Sequence, residues 1–329
     1  MSAPLYRFKA KQLDAMDRVC HAMIGVWARN LKGYAFLSRL DDESKAEIKG
    51  VLRAPLESGL VAGRRFRCDG EYADGTEVWG THDRKLSVHL CGVDHLKVVM
   101  MPQPGCEGWE AGAEAAMKVV RAYEKRFEFA RDDRYGYYTA SPLVMGTGCH
   151  LAVFMQLGGL KATGALGRVE RARHEGGFGL KAFGPAGGWN WLETRVSMGV
   201  GDWRLVYGML RAAGEVAVAE WNARERLFKR DALWVEDRVG RAMGILEGAR
   251  QLELRESLDM LTWLELACQS GRYPLAASPW DFFGAVNRLM PQPLPVEVPA
   301  GLVKAQKLGE RMARLAALKY DFHQWRTEK

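Results

Sequence analysis

The sequence predicts an α+β protein in which a part built of strands and helices is followed by a helical one, and three observations carry that reading. Short runs with β-type alternation fall in the first two-thirds of the chain, most clearly in KLSVHLCGVDHLKVVMM (85–101). From Asp202 to Ser270 apolar residues recur almost wholly at helical spacing. A proline-rich stretch, MPQPLPVEVPAG (290–301), breaks that pattern before a last basic helix. The division falls near Arg230, giving an α/β catalytic-type domain over residues 1–230 and a helical domain over 231–329.

In chain order, the 85–101 segment holds two strands around a Cys-Gly-Val break that suits a turn or bulge. GWEAGAEAAMKVVRAYEKRFEFA (108–130) carries Ala116, Val119, Val120, Tyr123 and Phe127 at the spacing of a buried helical stripe. HLAVFMQLG (150–158) is strand-like, and the glycine-rich stretch from Gly176 to Gly188 is strand and loop. Asp202 is placed to N-cap a helix running through Trp221. Two amphipathic helices follow, over 232–250 and 255–271, the second ending at a C-capping Gly271. The last helix spans about Leu302 to Tyr320.

Composition narrows the function classes. No apolar run among the 329 residues is long enough to span a bilayer. The N-terminal thirty residues scatter charge through any apolar stretch, unlike a secretory leader. Six dispersed cysteines without a CxxC pair suit a reduced, cytoplasmic chain better than a zinc or disulfide framework. The net charge of +7 gathers partly in the last helix, where a solvated basic face explains it and nucleic acid is not expected.

Four segments carry a family resemblance. ARNLKGYAFLSRL (28–40), VDHLKVVMM (93–101), RYGYYTASPLVMGTG (134–148) and EDRVGRAMGILEGAR (236–250) stand in the order and spacing of the bacterial protein-arginine kinases. The chain thus resembles the phosphagen (guanidino) kinase family over most of its length. That implies a small helical N-terminal part, an antiparallel sheet flanked by helices, and a C-terminal helical dimerisation domain. It also implies transfer of the γ-phosphoryl of ATP to a guanidinium nitrogen, a reaction of positioning and charge stabilisation with Mg²⁺ assisting.

The residues that chemistry needs are mostly replaced. The family's arginines fork onto phosphate oxygens. Their positions correspond here to Ile24, Val26, Lys97, His150 and, through the least similar stretch, Leu180. Only Lys97 keeps a fixed charge. The carboxylate expected to act as base corresponds to Val93, the second carboxylate to Pro185 and the reactive cysteine to Ser141. A histidine that packs on adenine corresponds to Phe154, which could still stack on a base. One transition-state donor is worth ~10²–10³ in rate and an arginine at a transferring phosphoryl ~10³–10⁵. Losing the set predicts no useful kinase activity.

The resemblance therefore implies a catalytically inactive pseudokinase acting as a binding or regulatory partner, with residual ATP:guanido phosphotransferase activity or nucleotide binding as the alternative. No cofactor is expected under the first reading, and ATP with Mg²⁺ under the second. The partner is a protein, either an active kinase homologue or a second copy of the chain. Asp94-His95-Leu96 and Gly146-Thr147-Gly148 are read as serving the fold, while Lys97 and His150 are the weak candidates for holding an anion. Arg311 and Arg314 are read as solvated. His89, Cys91 and His95 meet as a metal site only if the Gly92 break keeps register.

Overall fold

Ten residues, CHAMIGVWAR, carry no acidic side chain and a single fixed charge at their end, so they can be buried on both faces of a sheet. They form the strand about which the rest is arranged. The computed structural model describes residues 8–59, 61–72, 74–101, 105–195, 197–290 and 300–326. Helix α1 (Ala10–Val19) runs directly into that strand, β1 (Cys20–Arg29). Next come a 3₁₀ turn at Leu37–Arg39, α2 (Asp42–Glu57), β2 (Arg67–Glu71), β3 (Glu77–Gly80), β4 (Leu86–Leu90) and β5 (Leu96–Met100). Helix α3 (Cys106–Glu124) precedes a small ribbon, β6 (Arg131–Asp132) and β7 (Gly136–Tyr137), and the long β8 (Cys149–Gln156). Short helices α4 (Gly158–Ala162) and α5 (Leu166–Glu175) lead to β9 (Phe178–Ala182) and β10 (Trp189–Thr194). The remainder is helical: α6 (Asp202–Arg230), α7 (Ala232–Gly248), α8 (Leu254–Ser270), α9 (Pro279–Leu289) and α10 (Ala300–Trp325).

Eight strands make one antiparallel sheet in the order β2-β3-β4-β5-β1-β8-β10-β9. Directly paired residues share a face, so the registers sort the side chains. One face carries Met23, Trp27, Leu86, Val98, Leu151 and Val153, packed in a core with α1, α3 and α6. The other face is covered only in part. Ala22, Phe154 and Trp189 join the apolar residues of α7, α8, α9 and α10 in a second core. The helical segment beyond Arg230 thus packs on one end of the sheet rather than standing clear of it.

A buried ionic cluster ties these layers together. Arg224 on α6, 1% exposed, donates Nε to Glu220 Oε1 at 2.6 Å and Nη2 to the Gln156 carbonyl at 2.8 Å. Its other nitrogens reach Glu265 and Gln269 on α8. Glu265 Oε2 lies 3.0 Å from Nε2 of His21 on β1, and both Glu220 oxygens accept backbone N–H groups of Gly159 and Leu160, each at 2.8 Å. A side chain at Gly159 would strike the Arg224 backbone and Glu220 carboxylate at 2.9 Å, which is why glycine stands there.

Several local expectations change. Gly201, not Asp202, caps α6, and Asp202 occupies its first turn. Helix α3 starts earlier than expected and ends at Glu124, leaving Phe127 in the following turn. Helix α9 was not anticipated, although Ser278-Pro279 and the Ser278–Asp281 capping box announce it. Helix α10 extends to Trp325, and Gly271 ends α8 at φ +63° as expected. Residues 291–299 of the proline-rich stretch lie outside the described residues.

Replacing Arg224 by Met would leave Glu220 and Glu265 buried beside no cation. We expect a loss of about 3–5 kcal/mol of folding stability, read from urea denaturation. Arg241→Met, which removes an exposed one-turn pair with Asp237, should change the midpoint little.

Candidate functional site

The uncovered end of the second sheet face is where the chemistry-bearing side chains collect. His89 on β4 lies directly opposite Lys97 on β5, and Lys97 opposite Ala28 on β1. Val26 on β1 is flanked by Val99 and by His150 on β8. Ile24, Ala152 and Glu193 complete the next row. Lys97 and His150 therefore share a face two strands apart, roughly 10 Å between backbones. Ile24, Val26, His89, Lys97, His150 and Glu193 are all half-buried, which marks the face as accessible.

Lys181 was missed by sequence reasoning. It pairs with Trp191, whose other partner is Phe154, so it belongs to this same face. Leu180 instead pairs with Leu192 and lies on the opposite face against the main core. The face accordingly holds a second fixed cation one residue beyond the expected position. The alternation of β9 was the available signal, but it could not be anchored without a register.

The charges are modest. Burial holds His150 below the ordinary histidine value, with Glu193 opposing and Lys181 assisting the shift. His150 Nδ1 lies 3.2 Å from Thr194 Oγ1 and Nε2 4.0 Å from Glu193 Oε2. His89 is held down by burial and by Lys97. Lys97 Nζ is 3.9 Å from Asp94 Oδ2. At neutral pH the lysines supply the positive charge and the histidines do not. Strands β5, β1, β8 and β10 place no arginine on this face, and Arg29 pairs opposite Leu96 on the other side, but Arg195, just past the end of β10, lies over Gly179 at the edge of the face.

The turn at the end of this face is a structural clasp. Asp94 Oδ1 accepts from Asn30 Nδ2 at 2.8 Å and from the Ala140 backbone at 2.7 Å. The Asn30 side chain in turn accepts the His95 N–H. His95 Nδ1 accepts from the Leu31 N–H at 3.0 Å, so its proton sits on Nε2, which donates to the Ala35 carbonyl at 2.9 Å. Arg29 is buried, pairs with Glu124, donates to the Thr147 carbonyl and lies over the Tyr137 ring. A Cβ on Gly148, at φ +65°, would meet Arg29 at 2.4 Å. The Asp-His-Leu and Gly-Thr-Gly segments are thus used up in holding the fold.

Val93 stands at the tip of this turn, 62% exposed. The Asp94–Ala140 bond brings it near Ser141, whose carbonyl accepts from Thr139 and whose hydroxyl has no imidazole or carboxylate partner among the described residues. No nearby thiol substitutes for a nucleophile: burial pushes Cys91 up to about 11 and Cys149 far above its usual range. His89, Cys91 and His95 point to different surroundings, and no metal-binding group of three occurs among the described residues.

Pro185 is placed elsewhere. The glycine loop is docked on α8, with Gly188 N donating to Thr262 Oγ1 and Trp189 Nε1 to the Leu258 carbonyl. Pro185 lines a cleft of about 650 Å³ between this loop and α8, with Lys161, Glu253, Arg255, Glu256 and Asp259. Phe154 is not available to stack on a base. It is fully buried between Trp189 at 5.7 Å, Trp191 at 4.9 Å, Phe183 at 5.1 Å and Phe283 of α9 at 5.3 Å. Arg311 and Arg314 are not free cations either: Arg311 pairs with Glu253, and the largely buried Arg314 bonds Glu310 and the Leu289 carbonyl.

A family model described as ATP:guanido phosphotransferase, C-terminal catalytic domain, matches residues 37–187. The protein-arginine kinase of Halothermothrix orenii is 25% identical over 272 residues, 74% of this chain and 77% of that protein. That of Symbiobacterium thermophilum is 31% identical over 199 residues, covering 59% and 56%. The chain spans 53% of the Bacillus subtilis protein-arginine kinase, at 26% identity. Among solved structures, the substrate-free duplicated taurocyamine kinase from Schistosoma mansoni aligns with a TM-score of 0.54 at 16% identity, over 77% of this chain and 41% of that one. Lombricine kinase aligns at 0.50 and 14%, over 62% and 67%. At such identities the structures establish the fold, a large antiparallel sheet flanked by helices.

Burial holds His89, His95 and His150 all below the ordinary value of 6.5. Just below that pH the unfolded chain binds more protons than the folded one, so their contribution is full above 6.5 and is lost as pH falls. The urea midpoint should drop from about pH 7.5 to about pH 5.5, and His95→Gln should lower stability while flattening that dependence.

Proposed function

We propose that the chain, which is similar in sequence to the ATP:guanido phosphotransferases and the protein-arginine kinases, is a member of that family without phosphoryl-transfer activity, working as a binding or regulatory partner of another protein. One observation carries this reading. The four central strands give the open face no arginine, and its fixed cations are Lys97, Lys181 and, just past the end of β10, Arg195 beside Gly179 and Glu193. A γ-phosphoryl in transfer needs forked donors at several oxygens at once, whereas a lysine supplies a point charge and the single Arg195 one fork at the edge of the face. The base position is a valine at a turn tip, and the adenine-stacking position is enclosed by aromatic rings.

Residues 231–329 are the proposed docking unit, toward a second copy of the chain or an active kinase homologue. Leu233 is 80% exposed and Trp234 partly so at the start of α7, and both suit such a contact. Co-purification with no other protein, together with a monomeric mass in solution, would sink this part of the proposal.

The alternative is residual ATP:guanido phosphotransferase activity, or nucleotide held without turnover. It is favoured by the gathering of Lys97, Lys181 and His150 on one accessible face. Calorimetry with ATP and Mg²⁺ separates the readings. We expect no saturable heat up to about millimolar nucleotide, an affinity of only ~4 kcal/mol. Saturable binding abolished by Lys97→Ala or Lys181→Ala would instead assign the open face to nucleotide.

A further inference from the structure

Away from the sheet face, α5 and the end of α6 enclose a cavity of about 370 Å³. Its walls carry Arg168, Arg226 and Arg230, with Thr163 and the single carboxylate of Asp231. Arg226 and Arg230 lie one turn apart on α6, and Arg168 enters from the first turn of α5. Like charges at that spacing repel, so the fold concentrates net positive charge here at a cost.

Arg173, Arg224, Arg241, Arg288, Arg311 and Arg326 each meet a carboxylate. Arg226 donates only to the Asn222 carbonyl of its own helix, at 3.2 Å. Arg168 and Arg230 form no side-chain hydrogen bond or ion pair with a described residue. Compensation of the α6 dipole accounts for basic residues in its last turn. It does not account for Arg168, which sits at the positive end of its own helix, where a cation is unfavourable. Three guanidinium groups with no carboxylate partner among the described residues, gathered in one concave place rather than strung along a groove, match one compact multivalent anion better than a polymer backbone.

We propose that this cavity binds a dianionic phosphate group, either free phosphate or a phosphate carried on a side chain of another protein. Arg168, Arg226 and Arg230 donate to its oxygens. The site stands apart from the open sheet face, and its existence does not depend on whether that face takes nucleotide.

The test is titration of the full chain with inorganic phosphate at low ionic strength, where screening is least. One-site saturable binding is expected, weakened on the order of tenfold by either Arg168→Gln or Arg230→Gln. Lys118→Gln, at the exposed pair with Glu114 on α3, should leave it unchanged. Both arginines are exposed, so unaltered thermal melting of the variants confirms that folding is not the cause. A phosphoserine peptide that binds tighter than inorganic phosphate would assign the source to a modified protein; equal or weaker binding would assign it to free phosphate. Absence of saturable phosphate binding, or binding indifferent to both substitutions, would overturn the proposal. So would a single-stranded RNA whose affinity grows with length while phosphate itself fails to bind.

Discussion

Arg224 brings a permanent charge into the place where the sheet, the long α6 and the C-terminal helices meet, and the surrounding structure has to answer it. A guanidinium has five donors and cannot give up its proton, so burial is tolerable only if carboxylates and carbonyls surround it. Glu220, Glu265, Gln156 and Gln269 do so from three different elements. The carboxylates carry the constraint outward, Glu220 to the start of α4 and Glu265 to His21 at the beginning of β1. A buried pair of this kind adds little net stability but makes alternative packings costly. It fixes how the helical segment lies against the sheet.

That placement decides what the second sheet face can do. Once α8 and α9 are seated, Phe154, Trp189 and Trp191 are closed in by Phe183 and Phe283, and the glycine loop lies against Leu258 and Thr262. Aromatic packing of this sort contributes beyond its buried area and leaves only the other end of the face open. There the side chains include Ile24, Val26, His89, Lys97, His150, Lys181, Glu193 and Arg195. For a phosphoryl transfer, which runs on forked cations around phosphates, this is a sparse surface. Its fixed cations, Lys97, Lys181 and Arg195, are few and lie toward its edges.

Much of the fold was legible because its signals are local. The alternation of 85–101, the helical stripe ending at Tyr123 and the capping Gly271 each reflect the geometry of one element. The structural role of Asp94 and His95 was also inferable, since a buried turn must satisfy its own polar groups. What escaped depends on register and on distant partners. Lys181 rather than Leu180 faces the open side because of how β9 pairs with β10. Phe154 is enclosed by a residue 129 positions further on, Phe283 of α9. Arg311 and Arg314, expected to be solvated, find Glu253 and the Leu289 carbonyl only after the last helix folds back, while Glu310 meets Arg314 within that helix.

We have proposed that the open face performs no phosphoryl transfer. It is tested most directly by incubating the purified chain with γ-labelled ATP, Mg²⁺ and an arginine-rich protein acceptor, and measuring acid-labile phosphoarginine beside an active protein-arginine kinase. The account predicts incorporation no greater than without the protein. Turnover that rises with its concentration and falls on Lys97→Ala or Lys181→Ala would contradict it.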